Sequence, residues 1–122
     1  MNLRVRNKLI HFCRTASGSI SFPQLNYESE LGLNLEISHE RSSLQEILND
    51  ISLREHEKGR PLLSVMVKMK PKIGQGDSFF RLCETLGMGE WRTLKNDPDF
   101  LRKQRRECRK YWRVDEHYEQ YF

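Results

Sequence analysis

Apolar residues recur every three to four positions near the start of the chain, a spacing that predicts amphipathic helices. The first helix is predicted over residues 4–16, where Val5, Leu9 and Phe12 share one side. A Ser-Gly-Ser sequence ends it, and the run Ile-Ser-Phe that follows is typical of a short strand. A second helix is predicted to begin at Pro23, because a proline in the first turn loses no hydrogen bond.

The central part of the chain changes from the apolar period of a helix to that of a strand. A third helix is predicted over residues 43–58, because Ser43 and Glu46 have the spacing of a capping box. Apolar and more polar residues then alternate, which predicts a strand over residues 60–70. A glycine-containing turn and a short helix beginning Ser-Phe-Phe follow, and a last helix is predicted over residues 98–113.

The order of these elements predicts an α+β fold. The predicted winged-helix-like core consists of a helix, a short strand, two helices, a strand and a wing-like turn. Further helices form a C-terminal extension. A chain of 122 residues has the usual length of one domain. We therefore predict a single domain over residues 1–122, with the winged-helix-like core in residues 1–80 and the helical extension in residues 81–122.

Residues 20–33, with the sequence ISFPQLNYESELGL, resemble the I-T-Y-G-E-L-A opening of a set of small, uncharacterised bacterial proteins. In that set a helix with a G-x-P-x-L ending leads into an apolar strand, and a loop with G-x-G and F-F follows. Gly59, Pro61 and Leu63 match that ending here. The resemblance implies the order of the elements and no particular activity.

The same order of elements is similar to the winged-helix, DNA-binding half of the alkylguanine-DNA alkyltransferase-like proteins. That family carries a Pro-Cys-His-Arg motif before its strand, and the corresponding sequence here, GRPLLSV, contains no cysteine. The resemblance therefore implies a DNA-binding shape without alkyl transfer, and it makes the helix over residues 43–58 the candidate reader of the DNA. Glu36 and Glu40, just before that helix, are unfavourable neighbours for phosphates.

Composition narrows the function classes. No apolar run approaches the length of a membrane span, so we expect no membrane partner and a cytoplasmic protein. Three scattered cysteines and four isolated histidines lack the spacing of zinc ligands, so we expect buried cysteines, no metal and no cofactor. The net charge of +4 is only mildly basic, but acidic and basic segments alternate along the chain.

The last predicted helix carries the strongest local signal. Residues 101–113 contain seven Lys or Arg residues and one Glu. Like charges one turn apart repel each other, and a polyanion would relieve that repulsion as its counterions are released. The candidate phosphate-binding residues of this helix are Arg102, Arg105, Arg106, Arg109 and Lys110. The alternative is an ordinary solvated face paired with the acidic residues of segment 28–46 or of the C-terminal tail.

The predicted strand and wing add a second group of cations. Lys68, Lys70 and Lys72 alternate along the sequence, so on a strand they would share one face. A lysine row on a wing suits the phosphate backbone, which positions a protein without reading sequence. The alternative is that these lysines protect a sheet edge against aggregation.

These observations favour a non-catalytic protein that binds nucleic acid, with DNA as the preferred ligand. A second hypothesis is a protein-interaction or accessory subunit, or a homodimer, because alternating charged segments can dock complementary faces. A third is a small Mg²⁺-dependent nuclease that uses Glu55 and Glu57 near the helix-to-strand junction.

Overall fold

The computed structural model describes residues 1–122 and is almost entirely helical. The α-helices are α1 (Leu3–Thr15), α2 (Phe22–Glu28), α3 (Ser38–Glu57), α4 (Ser78–Thr85), α5 (Trp91–Asn96), α6 (Phe100–Trp112) and α7 (Asp115–Tyr121). A 3₁₀ turn over Leu63–Met66 lies between α3 and α4. The only strand-like pairing is an isolated parallel bridge between Ile20 and Val67. The predicted α+β, winged-helix-like core is therefore wrong, because the fold has neither a sheet nor a wing.

The predicted strand over residues 60–70 is wrong, and the middle of that segment is buried on every side. Each residue from Leu62 to Val67 is buried, whereas a strand at the edge of a wing would bury alternate residues. Its one strand-like pairing is the isolated bridge from Val67 to Ile20, so no sheet forms. The Ser64 amide instead donates to the hydroxyl of Ser52 on α3 at 3.1 Å, and the amide of Val67 donates to the Ser64 carbonyl at 3.1 Å.

One continuous core joins the two ends of the chain. α1, α3, the 3₁₀ turn and α6 pack around it, and α6 contributes the fully buried side chains of Cys108 and Trp112. Trp112 packs near Arg6 of α1, whose guanidinium carbon lies 5.6 Å from the centre of the indole ring. Residues from the last quarter of the chain therefore complete the core that α1 begins.

Helix boundaries agree with the sequence pattern at some places and not at others. α1, α4 and α6 form close to where the apolar pattern predicts them. α3 begins at Ser38 and not near Ser43, because Arg41 donates to the carbonyl of Leu35 at 2.8 Å and holds the polar residues before Ser43 in the helix. α5 and α7 were not predicted. None of the helices has the combination of length and apolar composition needed to cross a bilayer.

The three cysteines are free and buried, as predicted. Burial raises the pKa of the Cys83 thiol to about 12. Because the thiolate is the reactive form, we expect none of the three to react with an aromatic disulfide reagent in native buffer, and all three to react in denaturant. Absorbance of the released thiolate measures both rates. Rapid reaction of one thiol in the native protein would contradict the prediction.

Candidate functional site

Two arginines of α6 and the arginine that follows its last residue attach this helix to the rest of the fold. Arg105, Arg109 and Arg113 are four residues apart and therefore share one side of the helix. Each donates to a backbone carbonyl at least 40 residues earlier in the chain, the acceptors being Val65, Gly18 and Cys13. The sequence pattern did not reveal this structural role, because the acceptors are distant in sequence and belong to the main chain.

A backbone carbonyl accepts a hydrogen bond from a guanidinium group but does not neutralise its positive charge. Arg105 donates only through its Nε, at 3.0 Å from the Val65 carbonyl oxygen, and its Nη groups have no hydrogen-bond partner in the protein. Burial, with a smaller contribution from the positive charge of Arg109, lowers the pKa of the Arg105 guanidinium. The direction of this shift indicates a positive charge that lacks compensating negative charge nearby.

Residues 68–76 form a compact loop, called the lysine loop below, that replaces the predicted wing. Its ends meet where the amide of Gln75 donates to the carbonyl of Lys68 at 2.8 Å. The buried side chain of Gln75 also donates to the carbonyls of Ser64 and Val67. Gly74 lies against the Lys68 carbonyl so closely that a β-carbon there would collide with it. Hydrogen bonding and close packing therefore fix the shape of the loop.

Replacing Gln75 by alanine is expected to lower the free energy of unfolding by about 1–3 kcal/mol. The buried Val67 carbonyl loses the Gln75 side chain as its donor, and the Ser64 carbonyl keeps only the Val67 amide. Urea denaturation followed by circular dichroism measures the change. Gln120→Ala is the matched control, since Gln120 is exposed and its side chain makes no hydrogen bond. Equal effects of the two substitutions would contradict the role assigned to Gln75.

The lysine loop and α6 meet at one surface depression. Its volume is about 430 Å³, and Lys68, Lys70 and Arg105 contribute its charged lining. Ser19, Met69 and Leu101 supply the remainder. Two segments that are more than 30 residues apart in sequence thus bring three of the predicted phosphate-binding residues together.

The remaining predicted arginines extend from this depression along α6. Arg102 is three residues before Arg105 and Arg109 is four residues after it, so both lie on the same side of the helix. Arg106 is exposed and follows Arg102 by one turn. These side chains make the flank of α6 next to the depression basic.

Almost none of the predicted cations is neutralised by the protein's own carboxylates. Of the eight, only Arg102 has a carboxylate within 4.0 Å, that of Asp99. The acidic residues Glu28 and Glu30 pair with cations of α1 and not with α6. The charges of α6 are therefore not balanced by the acidic segment in the way that the alternative interpretation required.

Two predicted residues lie apart from the depression. The backbone of Lys72 adopts a left-handed φ of 64°, and its side chain lines other hollows beside Phe22. The prediction that Lys68, Lys70 and Lys72 share one strand face is therefore wrong, because the chain turns at Pro71. Lys110 lies about 140° around the α6 axis from Arg105, and it lines a separate groove.

Glu55, the residue on which the nuclease hypothesis depended, is buried between two arginines. The Nε of Arg6 lies 2.5 Å from one carboxylate oxygen, and the Nε of Arg60 donates to the other. The Glu55 side chain has no exposed surface. Both oxygens are thus engaged in ion pairs inside the protein, and this geometry gives Glu55 a structural role.

Comparison of the chain with protein-family models, with curated proteins and with solved structures finds no match. The resemblance to the small bacterial proteins therefore depends on a residue pattern alone. The resemblance to the alkyltransferase-like proteins depended on an order of helices and strands that the structure does not have.

Proposed function

We propose that this protein binds the phosphate backbone of nucleic acid through the depression formed by Lys68, Lys70 and Arg105. One observation carries the proposal: cations from two distant segments line a common surface, and no carboxylate of the chain lies within 4.0 Å of them. Arg106 extends this surface along α6. Because the fold has no wing, α3 is not retained as a reader of DNA.

The chemistry of the three side chains suits phosphate. Lys68 and Lys70 each present an ammonium group, and the free Nη groups of Arg105 can donate two parallel hydrogen bonds to phosphate oxygens. Each contact releases counterions that were condensed on the nucleic acid, and this release supplies most of the affinity. Contacts to the backbone do not distinguish bases, so the proposed binding is independent of sequence.

A salt titration tests the proposal. Fluorescence anisotropy measures binding to a labelled duplex DNA, a single-stranded DNA and an RNA hairpin of random sequence. With three phosphate contacts, the slope of log affinity against log salt is expected to be about −2.7 for duplex DNA and about −2 for a single strand. The duplex affinity then falls about 40-fold between roughly 50 and 200 mM salt.

The comparison among the three ligands identifies the preferred nucleic acid, with DNA as our expectation. Absence of binding to all three at about 50 mM salt, or an affinity that does not depend on salt, contradicts the proposal. In that event, co-purification with a protein partner would favour an accessory subunit.

A further inference from the structure

A groove of about 530 Å³ lies on a different side of α6 from the lysine loop. It runs between the C-terminal end of α3, the connector after it, and α7. Its apolar lining consists of Pro61, Leu62, Met88 and Val114. The volume is within the usual range of small-molecule sites, which combine an apolar lining with a few polar groups.

A buried cluster places excess positive charge at the groove. Arg6 and Arg60 share the single carboxylate of Glu55, so the cluster keeps a net positive charge. Arg6 also donates to the carbonyl of Tyr121 at 2.6 Å. The side chain of Arg60, which lines the groove, makes no hydrogen bond other than the one from its Nε to Glu55. Its Nη groups therefore have no acceptor within the protein.

Lys110 adds a second positive charge to the lining and has no carboxylate within 4.0 Å. Glu107 is the one acidic side chain of the groove, so its cations outnumber its anions. His117 stacks on Tyr111 with ring centres 4.0 Å apart, and its Nδ1 lies 2.8 Å from the Tyr111 carbonyl oxygen. A neutral His117 therefore carries its proton on Nδ1 and leaves Nε2 without a partner.

We propose that this groove binds a small organic anion, with its carboxylate or phosphate group held by Arg60 and Lys110 and its apolar body packed on Pro61 and Leu62. The free Nη groups of Arg60 form a planar donor pair that matches either head group. Burial of the ligand's apolar body against the apolar lining supplies further affinity. The site shares none of its residues with the depression beside the lysine loop, so the two proposals are independent.

Three related compounds test this site. Naphthoate, naphthyl phosphate and uncharged naphthamide are titrated into the isotope-labelled full-length chain, and amide NMR signals are followed. We expect at least one anion to bind with a Kd of about 1 mM or tighter, with shifts concentrated around Gly59 and Tyr111. Naphthamide is expected to bind at least about tenfold more weakly, because it lacks the charge. The tighter of the two anions identifies the preferred head group.

Substitution of Lys110 provides a second test of the proposed anion site. Lys110→Gln is expected to raise the Kd of the anion about fivefold to tenfold, and circular dichroism checks that this exposed position leaves the fold intact. Lys103→Gln is the matched control, because Lys103 lies about two turns earlier on α6 and outside the groove. The proposal would be overturned if naphthamide bound as well as the anions, or if Lys110→Gln left the affinity unchanged. It would also be overturned by NMR shifts centred on Lys68 and Arg105, or by no binding of either anion at about 10 mM.

Discussion

Replacing Glu55 by alanine is expected to lower the free energy of unfolding by about 3–5 kcal/mol, because it leaves two arginines buried without their counter-charge. The side chain of Arg6 is only 5% exposed and that of Arg60 is 15% exposed, so water can solvate neither well. Urea denaturation followed by circular dichroism measures the loss. The figure describes the cost of breaking the cluster and not its net contribution to stability, since burying three charges is itself unfavourable.

Glu57→Ala is the matched control for this prediction. Glu57 is exposed, ends α3 and makes no ion pair, so its loss is expected to change stability by no more than about 0.5 kcal/mol. If Glu55→Ala were as stable as the unaltered protein, the cluster would not have the role assigned to it. The prediction also bears on the nuclease hypothesis, because any activity lost in Glu55→Ala would first have to be separated from unfolding.

Replacing Lys68 and Lys70 together by glutamine is expected to lower the affinity for duplex DNA on the order of 100-fold at about 50 mM salt. Two of the three proposed phosphate contacts disappear, so the slope of log affinity against log salt falls from about −2.7 to about −0.9. The two curves should converge near 1 M salt, where counterion release contributes almost nothing. Glutamine keeps most of the side-chain length, and anisotropy titrations measure both quantities.

The double substitution Lys58→Gln and Lys103→Gln is the control, since it removes the same net charge. Lys58 is exposed at the end of α3, and Lys103 lies about 160° around α6 from Arg105. We expect the slope of this variant to stay close to that of the unaltered protein. Equal losses in the two double variants would mean that net charge governs binding, and the depression would lose its special role.

The side chain of Arg105 connects the fold and the proposed function. A guanidinium has five N–H donors in a fixed plane, and here one of them is used by the Val65 carbonyl while the Nη groups stay free. The same hydrogen bond that attaches α6 to the core therefore also holds the cation at the surface. Lysine could not replace it in both roles, because its three donors share a single nitrogen.

The sequence pattern alone determined where several helices form and which residues they bury. α1, α4 and α6 follow from local apolar periodicity, and the three cysteines behave as small apolar residues that pack into the core. The concentration of positive charge on α6 was also evident in the sequence. These properties depend on residues close together along the chain, so a local pattern is enough to reveal them.

Tertiary contacts decided the rest. The segment after Gly59 has the composition of a strand, but it forms no sheet. Its residues 62–67 are buried on all sides, and Ser52 accepts a hydrogen bond from the Ser64 amide within the 3₁₀ turn. α7 has no clear apolar period, and it is held by contacts such as those of Arg6 with the Tyr121 carbonyl and Arg14 with Asp115.

For the candidate site, too, the sequence predicted one part and the tertiary structure decided the other. Its residue types could be predicted, because an excess of lysine and arginine is a property of composition. Their grouping could not, since Lys68 and Arg105 meet only after the lysine loop closes on Gln75 and α6 docks on the Val65 carbonyl. A side chain's charge is fixed by its own chemistry, whereas its neighbours across the surface depend on how distant backbone groups satisfy their hydrogen bonds.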